Sequence, residues 1–357
     1  MRILITSPVF PPDLGGPSVY VPSIGRFLVE RGHDVKVVAF CSDERPTGYP
    51  FEVVAIPRGP LLWRYLKAFL AVWREARGRD VVYVQEHLAL LHVLAARLRG
   101  VPVVIRMMVD GAWEISHRLG WIDGDDIVTF ETKDYGLRVR LVRALQRAWW
   151  RGSRRIVACS DFLRGIAVGR YRVPADKVVR IWNAYHGTRA EEVTETRREA
   201  RAALGLAADR RYLLTICRLM VWKRVDGIIE ALAGLPEDTE LLVAGDGDME
   251  GPWKAFAAER GLAARVHFLG NVPHARIPLL VRAADVFVLN SEYEGLSHTL
   301  LEVLTLGTPI VCTGVCGNPE VVEDGQNGFL VPPRDPAALR AAVGRLLADE
   351  GLGRRFA

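Results

Sequence analysis

Short apolar runs rich in valine and isoleucine recur along the chain, separated by longer stretches in which apolar residues return every three or four positions. In the first half the runs are RILITS (2–7), DVKVVAF (34–40), FEVVAI (51–56), DVVYVQ (80–85), PVVIRM (102–107), RRIVACS (154–160) and VVRIWN (178–183). Strands apolar on both faces, alternating with helical periods, predict βαβ units and a buried parallel sheet. The polar stretch HGTRAEEVTETRREARAALG (186–205) holds no such run and reads as a linker entering a helix. The rhythm then restarts with RYLLTIC (211–217), TELLVAG (239–245), RVHFLG (265–270), DVFVLN (285–290), PIVCT (309–313) and GFLV (328–331). A chain of 357 residues exceeds one ordinary hydrophobic core. The pattern therefore predicts two doubly wound α/β domains: residues 1–187, a linker and helix over 188–208, and residues 209–357. No short internal repeat or low-complexity tract interrupts it.

Composition is that of an ordinary globular protein, half apolar and a quarter charged. No apolar run reaches the roughly 20 residues that span a bilayer, and MRILITSPVF reads as a first buried strand with no cleavable signal, so a cytoplasmic protein is expected. Five cysteines, Cys41, Cys159, Cys217, Cys312 and Cys316, are odd in number and form no paired Cys-x-x-Cys arrangement. Core or loop thiols are expected, and no metal.

The charge is uneven. Residues 1–187 carry 28 Lys and Arg against 18 Asp and Glu, whereas residues 188–357 carry 19 against 24. The basic excess is dense in WRYLKAFLAVWREARGR (63–79) and RVRLVRALQRAWWRGSRR (138–155), where arginines alternate with Trp, Leu and Val. Two readings stand: packed amphipathic helices with solvated arginines, or peripheral contact with an anionic membrane. The aromatic residues follow helical spacing and no nucleic-acid motif occurs, so nucleic acid is not an expected partner.

In open parallel sheets ligands gather beyond the carboxyl ends of the strands. After the first run comes SPVFPPDLGGPSVY, where Gly15 and Gly16 open a helix and let backbone N–H groups approach a phosphate. The spacing is not the dinucleotide fingerprint, and a glycine turn is often only a turn. After the first run of the second half comes CRLMVWKRVDG, in which Arg218 and Lys223 either neutralise a diphosphate or are solvated surface charge. VAGDGDM (243–249) and GVCGNPEVVEDGQNGFLV (314–331) supply further glycine loops at the same edge. SEYEGLSHTLLE (291–302) is a strand-to-helix turn. On one helix Glu294 and Glu302 would stand roughly 80° apart, so a shared face does not explain them. With Glu294 in the turn and Ser297 as cap, the two glutamates bracket a helix N-terminus that favours an anion.

The second half, with CRLMVWKR, LLVAGDG, VHFLG, EGLSHTLLEVLTLGTPIV and GNPEVVEDGQNGFLV in this order, resembles the retaining nucleotide-sugar glycosyltransferases of family 4. The resemblance spans about residues 2–348 and is strongest over 210–332; in the first half Gly15, Gly16, Ser160 and Asn183 fit the pattern. It implies the GT-B fold, two Rossmann-like domains facing across a cleft. It implies catalytic roles for Arg218, Lys223 and Glu294. Glu302 would accept bonds from the donor ribose and Glu294 from the transferred sugar. Gly15, Gly16, Gly245, Gly247, Leu269, Gly295, Leu296 and Ser297 would line the donor, and Ser160 and Asn183 the acceptor side. The implied reaction is a metal-independent front-side displacement, with no cofactor besides a UDP-, GDP- or ADP-linked sugar and with a glycan, lipid-linked or small hydroxyl acceptor.

Two departures from the family pattern bear on the acceptor side. Many members carry a histidine in the loop after the strand that here is VPVVIRM, whereas this chain has MMVDGAWE. Asp110 is the substitute candidate, with Trp113 and Glu114 near the acceptor and His87 and His117 as alternatives. The chain also ends at GLGRRFA, short of the helix that usually crosses back to the first domain. A GT-B nucleotide-sugar epimerase and a non-catalytic sugar-nucleotide-binding protein are the competing readings.

Overall fold

The computed structural model describes residues 1–13, 15–85, 90–185 and 192–356. The chain divides into two compact units at Trp182/Asn183, slightly before the boundary expected from the linker.

The first unit runs β1 (Arg2–Ser7), α1 (Gly16–Glu30), β2 (Asp34–Phe40), β3 (Glu52–Ile56), α2 (Leu61–Glu75), β4 (Val81–Gln85), α3 (Leu90–Leu98), β5 (Val103–Met107), α4 (Gly111–Arg118), α5 (Ile127–Thr132), α6 (Leu137–Gly152), β6 (Arg155–Ala158), α7 (Asp161–Gly169) and β7 (Val178–Arg180). Its strands form one parallel sheet in the order β3-β2-β1-β4-β5-β6-β7. Alternate residues explain the layering. Ile3, Ile5, Val35, Val37 and Ala39 face one way and pack with Phe10, Val21 and Phe51, whereas Leu4 and Val38 face the other.

The second unit runs α8 (Arg197–Leu204), β8 (Arg211–Ile216), α9 (Val225–Leu232), β9 (Thr239–Ala244), α10 (Glu250–Glu259), β10 (Val266–Gly270), α11 (Ile277–Ala283), β11 (Val286–Leu289), α12 (His298–Leu306), β12 (Ile310–Thr313), β13 (Phe329–Val331), α13 (Pro336–Ala348) and α14 (Glu350–Phe356). Its parallel sheet has the order β10-β9-β8-β11-β12-β13. Leu213, Leu241, Val243, Val286 and Val311 belong to the core on one face, and Tyr212, Leu214, Leu242, Phe287 and Ile310 to the core on the other. Each such apolar side chain taken fully from water contributes about 1.5–3 kcal/mol. The last described helix closes the first of these cores, with Phe356 edge-on to Phe329.

In each sheet the chain leaves its first strand in one direction and later returns to that strand's other side. The switch points therefore lie between β1 and β4 and between β8 and β11. The loops after β8 and β11 carry Arg218, Lys223 and Glu294, so the topology itself gathers the candidate residues of the second unit.

The basic helices are packed along one face, with Ala68 and Val72 of α2 and Val139, Trp149 and Trp150 of α6 buried, yet each also leaves apolar residues exposed. α2 leaves Leu62 and Trp63 81% and 62% exposed, along with Leu66, Leu70 and Trp73, and α3 beside it exposes Leu94 and Leu98. On α6 Val139, Trp149 and Trp150 are buried together with Arg143 and Gln146, whereas Leu137, Leu141 and Leu145 are exposed. No helix of the described residues is long and apolar enough to cross a membrane.

Candidate active site

The loop after β8 is held by two glycines. At Gly245, with φ 126°, an added Cβ would lie 1.9 Å from the Cys217 carbonyl oxygen, and at Gly247, with φ 152°, 2.6 Å from that of Leu219. Only glycine allows this approach. It brings Leu219 N–H to the Asp246 carbonyl at 2.7 Å and Met249 N–H to that of Leu219 at 2.9 Å. Gly245 and Gly247, expected as donor contacts, thus fix the segment that presents Arg218, whose side chain is exposed. One turn of 3-10 helix, Val221–Lys223, then carries Lys223 to a half-buried position.

The turn after β11 is buried throughout Asn290–Ser297. Ser297 caps α12, its hydroxyl accepting from Leu300 N–H at 3.3 Å, and Gly307 in the left-handed region ends the helix. Lys223 Nζ donates to Glu294 Oε1, the same oxygen that accepts from Ser291 Oγ at 2.8 Å. The ammonium and carboxylate expected at separate parts of a ligand are therefore each other's partner in the structure. Behind them Gly317 N–H donates to the Glu294 carbonyl at 3.1 Å, and a Cβ on Gly317 would stand 2.2 Å from the Gly295 oxygen. Asn183, expected on the acceptor side, belongs to the second unit and donates from Nδ2 to the Leu296 carbonyl at 2.9 Å.

Glu302 lies on α12, 8% exposed. Tyr185 OH donates to its Oε1 at 3.2 Å, and His274 Nε2 stands 3.9 Å away. Burial pushes its carboxyl above the usual range, opposed by His274 and the tyrosine bond. Leu269 stands partly exposed on β10. A buried carboxylate, a second carboxylate on an ammonium and the capped end of α12 make a set suited to an anion flanked by hydroxyl groups.

In the first unit Gly15 caps α1, its carbonyl accepting from Ser18 Oγ at 2.6 Å, and a Cβ on Gly16 would meet nothing within 4 Å. That flank is open. The other first-unit candidates require correction. Asp110 is wholly buried and caps α4, accepting from the N–H groups of Ala112 and Trp113, from Gln146 Nε2 at 2.8 Å and from Tyr171 OH. A carboxylate so engaged is a structural group and not a substitute for a substrate-facing histidine. Trp113 is equally buried, its Nε1 donating to the Asp125 carbonyl at 3.1 Å, and Ser160 is the buried cap of α7. Glu114 and His117 are half-buried on α4. His87 lies outside the described residues.

Several neighbours that matter here carry no signal in the sequence. Glu131 on α5 buries both carboxyl oxygens near Asp110, and burial with that neighbouring charge pushes it up to about 9. Glu292, Arg224 and Arg334 brace the turn before Glu294, and Tyr185 and His274 attend Glu302. Their pairing depends on backbone geometry that no spacing reveals, such as the left-handed conformation of Arg224 and Arg334.

The family of glycosyl transferases group 1 matches residues 196–357, and the glycosyl transferase 4-like domain matches residues 15–184. The chain is 30% identical over 394 residues to D-inositol 3-phosphate glycosyltransferase of Xylanimonas cellulosilytica, covering 99% of this chain and 88% of that protein. Among solved structures, sucrose-phosphate synthase of Thermosynechococcus elongatus superposes with a TM-score of 0.82 at 21% identity, covering 100% of this chain and 92% of the other. HepE of Anabaena, solved with UDP and glucose, does so at 0.79 with 20% identity and the same coverage.

Proposed function

The chain belongs to the group 1 glycosyltransferases, and from that premise we propose that it transfers a hexose from a nucleoside-diphosphate sugar with retention of anomeric configuration. The supporting observation is the Lys223–Glu294 pair beside the capped end of α12, at the switch point of the second sheet. A donor diphosphate would draw the Lys223 ammonium from Glu294. The freed carboxylate would then accept the hydroxyls of the transferred sugar, and Glu302 those of the ribose in place of Tyr185 OH.

In the chemical step the acceptor oxygen forms its bond to the anomeric carbon on the face from which the diphosphate departs. The carbon–oxygen bond to phosphate breaks, and the acceptor's proton passes to the departing phosphate oxygen. Arg218, Lys223 and the helix end stabilise the growing charge, a task that needs no metal. Replacing Lys223 with Ala is expected to lower kcat by on the order of 3 kcal/mol in activation free energy. Turnover abolished by EDTA and restored by magnesium would refute the metal-free step.

UDP is the first base to test, since HepE was solved with it; GDP and ADP are the alternatives. The acceptor is a glycan, lipid-linked or small-molecule hydroxyl. The free thiols fit a reducing cytoplasm, and α2, α3 and α6 would rest on the anionic inner face of a membrane. The deciding experiment measures melting temperature with UDP, GDP and ADP, because binding to the folded state alone raises it. The sugar-linked form of the stabilising nucleotide then follows, with acceptor screening and the product anomer read by NMR. An inverted product refutes retention, and nucleotide release without sugar transfer refutes transferase chemistry at this site.

A further inference from the structure

Glu292 lies two residues before Glu294 and is almost fully buried. Two guanidinium groups converge on it: Arg224 Nη1 and Arg334 Nε both donate to Oε1, the latter at 2.6 Å, while Arg334 Nη2 reaches Oε2 at 3.2 Å. Arg224 directly follows Lys223 and also binds Asp226, with Nη2 to Oδ2 at 2.9 Å. Arg334 comes from the loop after β13. One carboxylate thus ties together the loops that leave β8, β11 and β13. The first two are further joined by Glu292 N–H to the Trp222 carbonyl at 2.7 Å and by Asn290 Nδ2 to that of Arg224 at 2.9 Å.

Both arginines adopt left-handed backbone, φ 47° for Arg224 and 58° for Arg334. Glycine suits that region, and at these two positions the bonds made by the arginine side chains offset the strain. Arg224 ties the loop bearing Lys223 to Glu292 on the loop bearing Glu294, and Arg334 ties the loop after β13 to the same carboxylate. A lysine that must exchange a carboxylate for a phosphate needs both loops held at fixed separation, since small displacements of a reacting group are costly.

We infer that the Arg224–Glu292–Arg334 clasp positions Lys223 against Glu294 for that exchange. The inference rests on the roles given to Lys223 and Glu294 in the transfer reaction. Glu292 touches neither sugar nor phosphate in this scheme; it is a positioning residue.

The test begins without any ligand. Trace acetylation with acetic anhydride reports the accessibility and charge of each lysine, with exposed Lys254 of α10 as internal control. R224G and R334G delete one arm each at positions where glycine keeps the backbone, and E292Q keeps the shape while removing the charge. Lys223 labelling is expected to rise at least threefold in all three, with Lys254 unchanged, and R334K, which keeps the charge but not the two-nitrogen grip, is expected to fall between R334G and wild type. Unchanged Lys223 labelling overturns the inference, as does an equal rise at Lys254, which would mean general loosening. UDP titration then supplies the functional arm. R334G is expected to weaken UDP severalfold in the wild-type background and to add nothing once Lys223 is Ala; an equal loss in both backgrounds overturns it. A wild-type protein that binds none of UDP, GDP and ADP, yet shows the Lys223 response, supports the clasp and refutes the sugar-nucleotide reading.

Discussion

Glu131 is the residue whose surroundings contradict its chemistry most sharply. Both carboxyl oxygens are buried next to the Asp110 carboxylate, and the group is pushed from an ordinary 4.5 up to about 9. Burial first, and then the neighbouring Asp110, keep the proton on Glu131. An unfolded chain releases that proton above about 4.5, whereas the folded one holds it until about 9. The folded state therefore binds more protons across this window, and stability from this site falls as pH rises through it. Glu131→Gln, which cannot ionise, should be more stable than wild type by a margin that grows between pH 5 and pH 9. Urea denaturation at both ends of the range checks this, and a margin that does not change with pH excludes Glu131 as the source. Lys223 and Glu294 stand out in the sequence because each lies in the turn that follows an apolar run, and Glu302, inside α12, stands out only through its place in the motif that begins at Glu294. Asp110 sits in such a turn as well, and there the sequence misled. A capping aspartate and a substrate-facing one carry the same local signature, and only burial among Gln146 and Tyr171, 36 and 61 residues away, separates them.

Among the elements, the strands were the most legible part, because a sheet covered on both faces demands continuous apolar runs, and every expected run forms a strand. The glycines between elements were less so. Gly245 and Gly251 look alike in the sequence as members of glycine-bearing turns or helix starts, yet a Cβ at 245 would collide with the Cys217 carbonyl and one at 251 would meet nothing within 4 Å. Gly245→Ala is expected to cost on the order of 3 kcal/mol and to displace Arg218, whereas Gly251→Ala, on α10, should be neutral or stabilising by about 0.5–1 kcal/mol. Thermal unfolding of the two variants distinguishes them, and equal melting temperatures would count against the close approach. Helix α12 offers a milder case. Ser297→Ala removes one cap bond, worth about 1 kcal/mol, from the helix end assigned to the diphosphate. UDP affinity should fall if the helix end receives the anion, and stay unchanged if the cap is structural only, because a loss of about 1 kcal/mol leaves the protein folded.

At the scale of the whole molecule, the two halves differ in charge. Residues 1–187 hold 28 Lys and Arg against 18 Asp and Glu, while the remainder is acidic. The sequence could not tell which side of a basic amphipathic helix is covered, because periodicity fixes a stripe and says nothing of its partner. In the structure α2 and α6 each bury one apolar face and leave a second row of apolar residues uncovered, with Leu62, Trp63, Leu137 and Leu141 all more than half exposed among arginines. Leucine and tryptophan beside cations suit the boundary between headgroups and acyl chains, and each Lys or Arg near an anionic surface adds about 1 kcal/mol. The protein is therefore expected to sediment with vesicles of phosphatidylcholine and phosphatidylglycerol at low salt and to be released as salt rises. Pure phosphatidylcholine vesicles should leave most of it in the supernatant. Leu62→Ser with Trp63→Ser should weaken sedimentation without altering UDP binding, since neither residue belongs to the second unit. Equal recovery in the supernatant with and without anionic lipid would assign the exposed stripe to something other than a membrane.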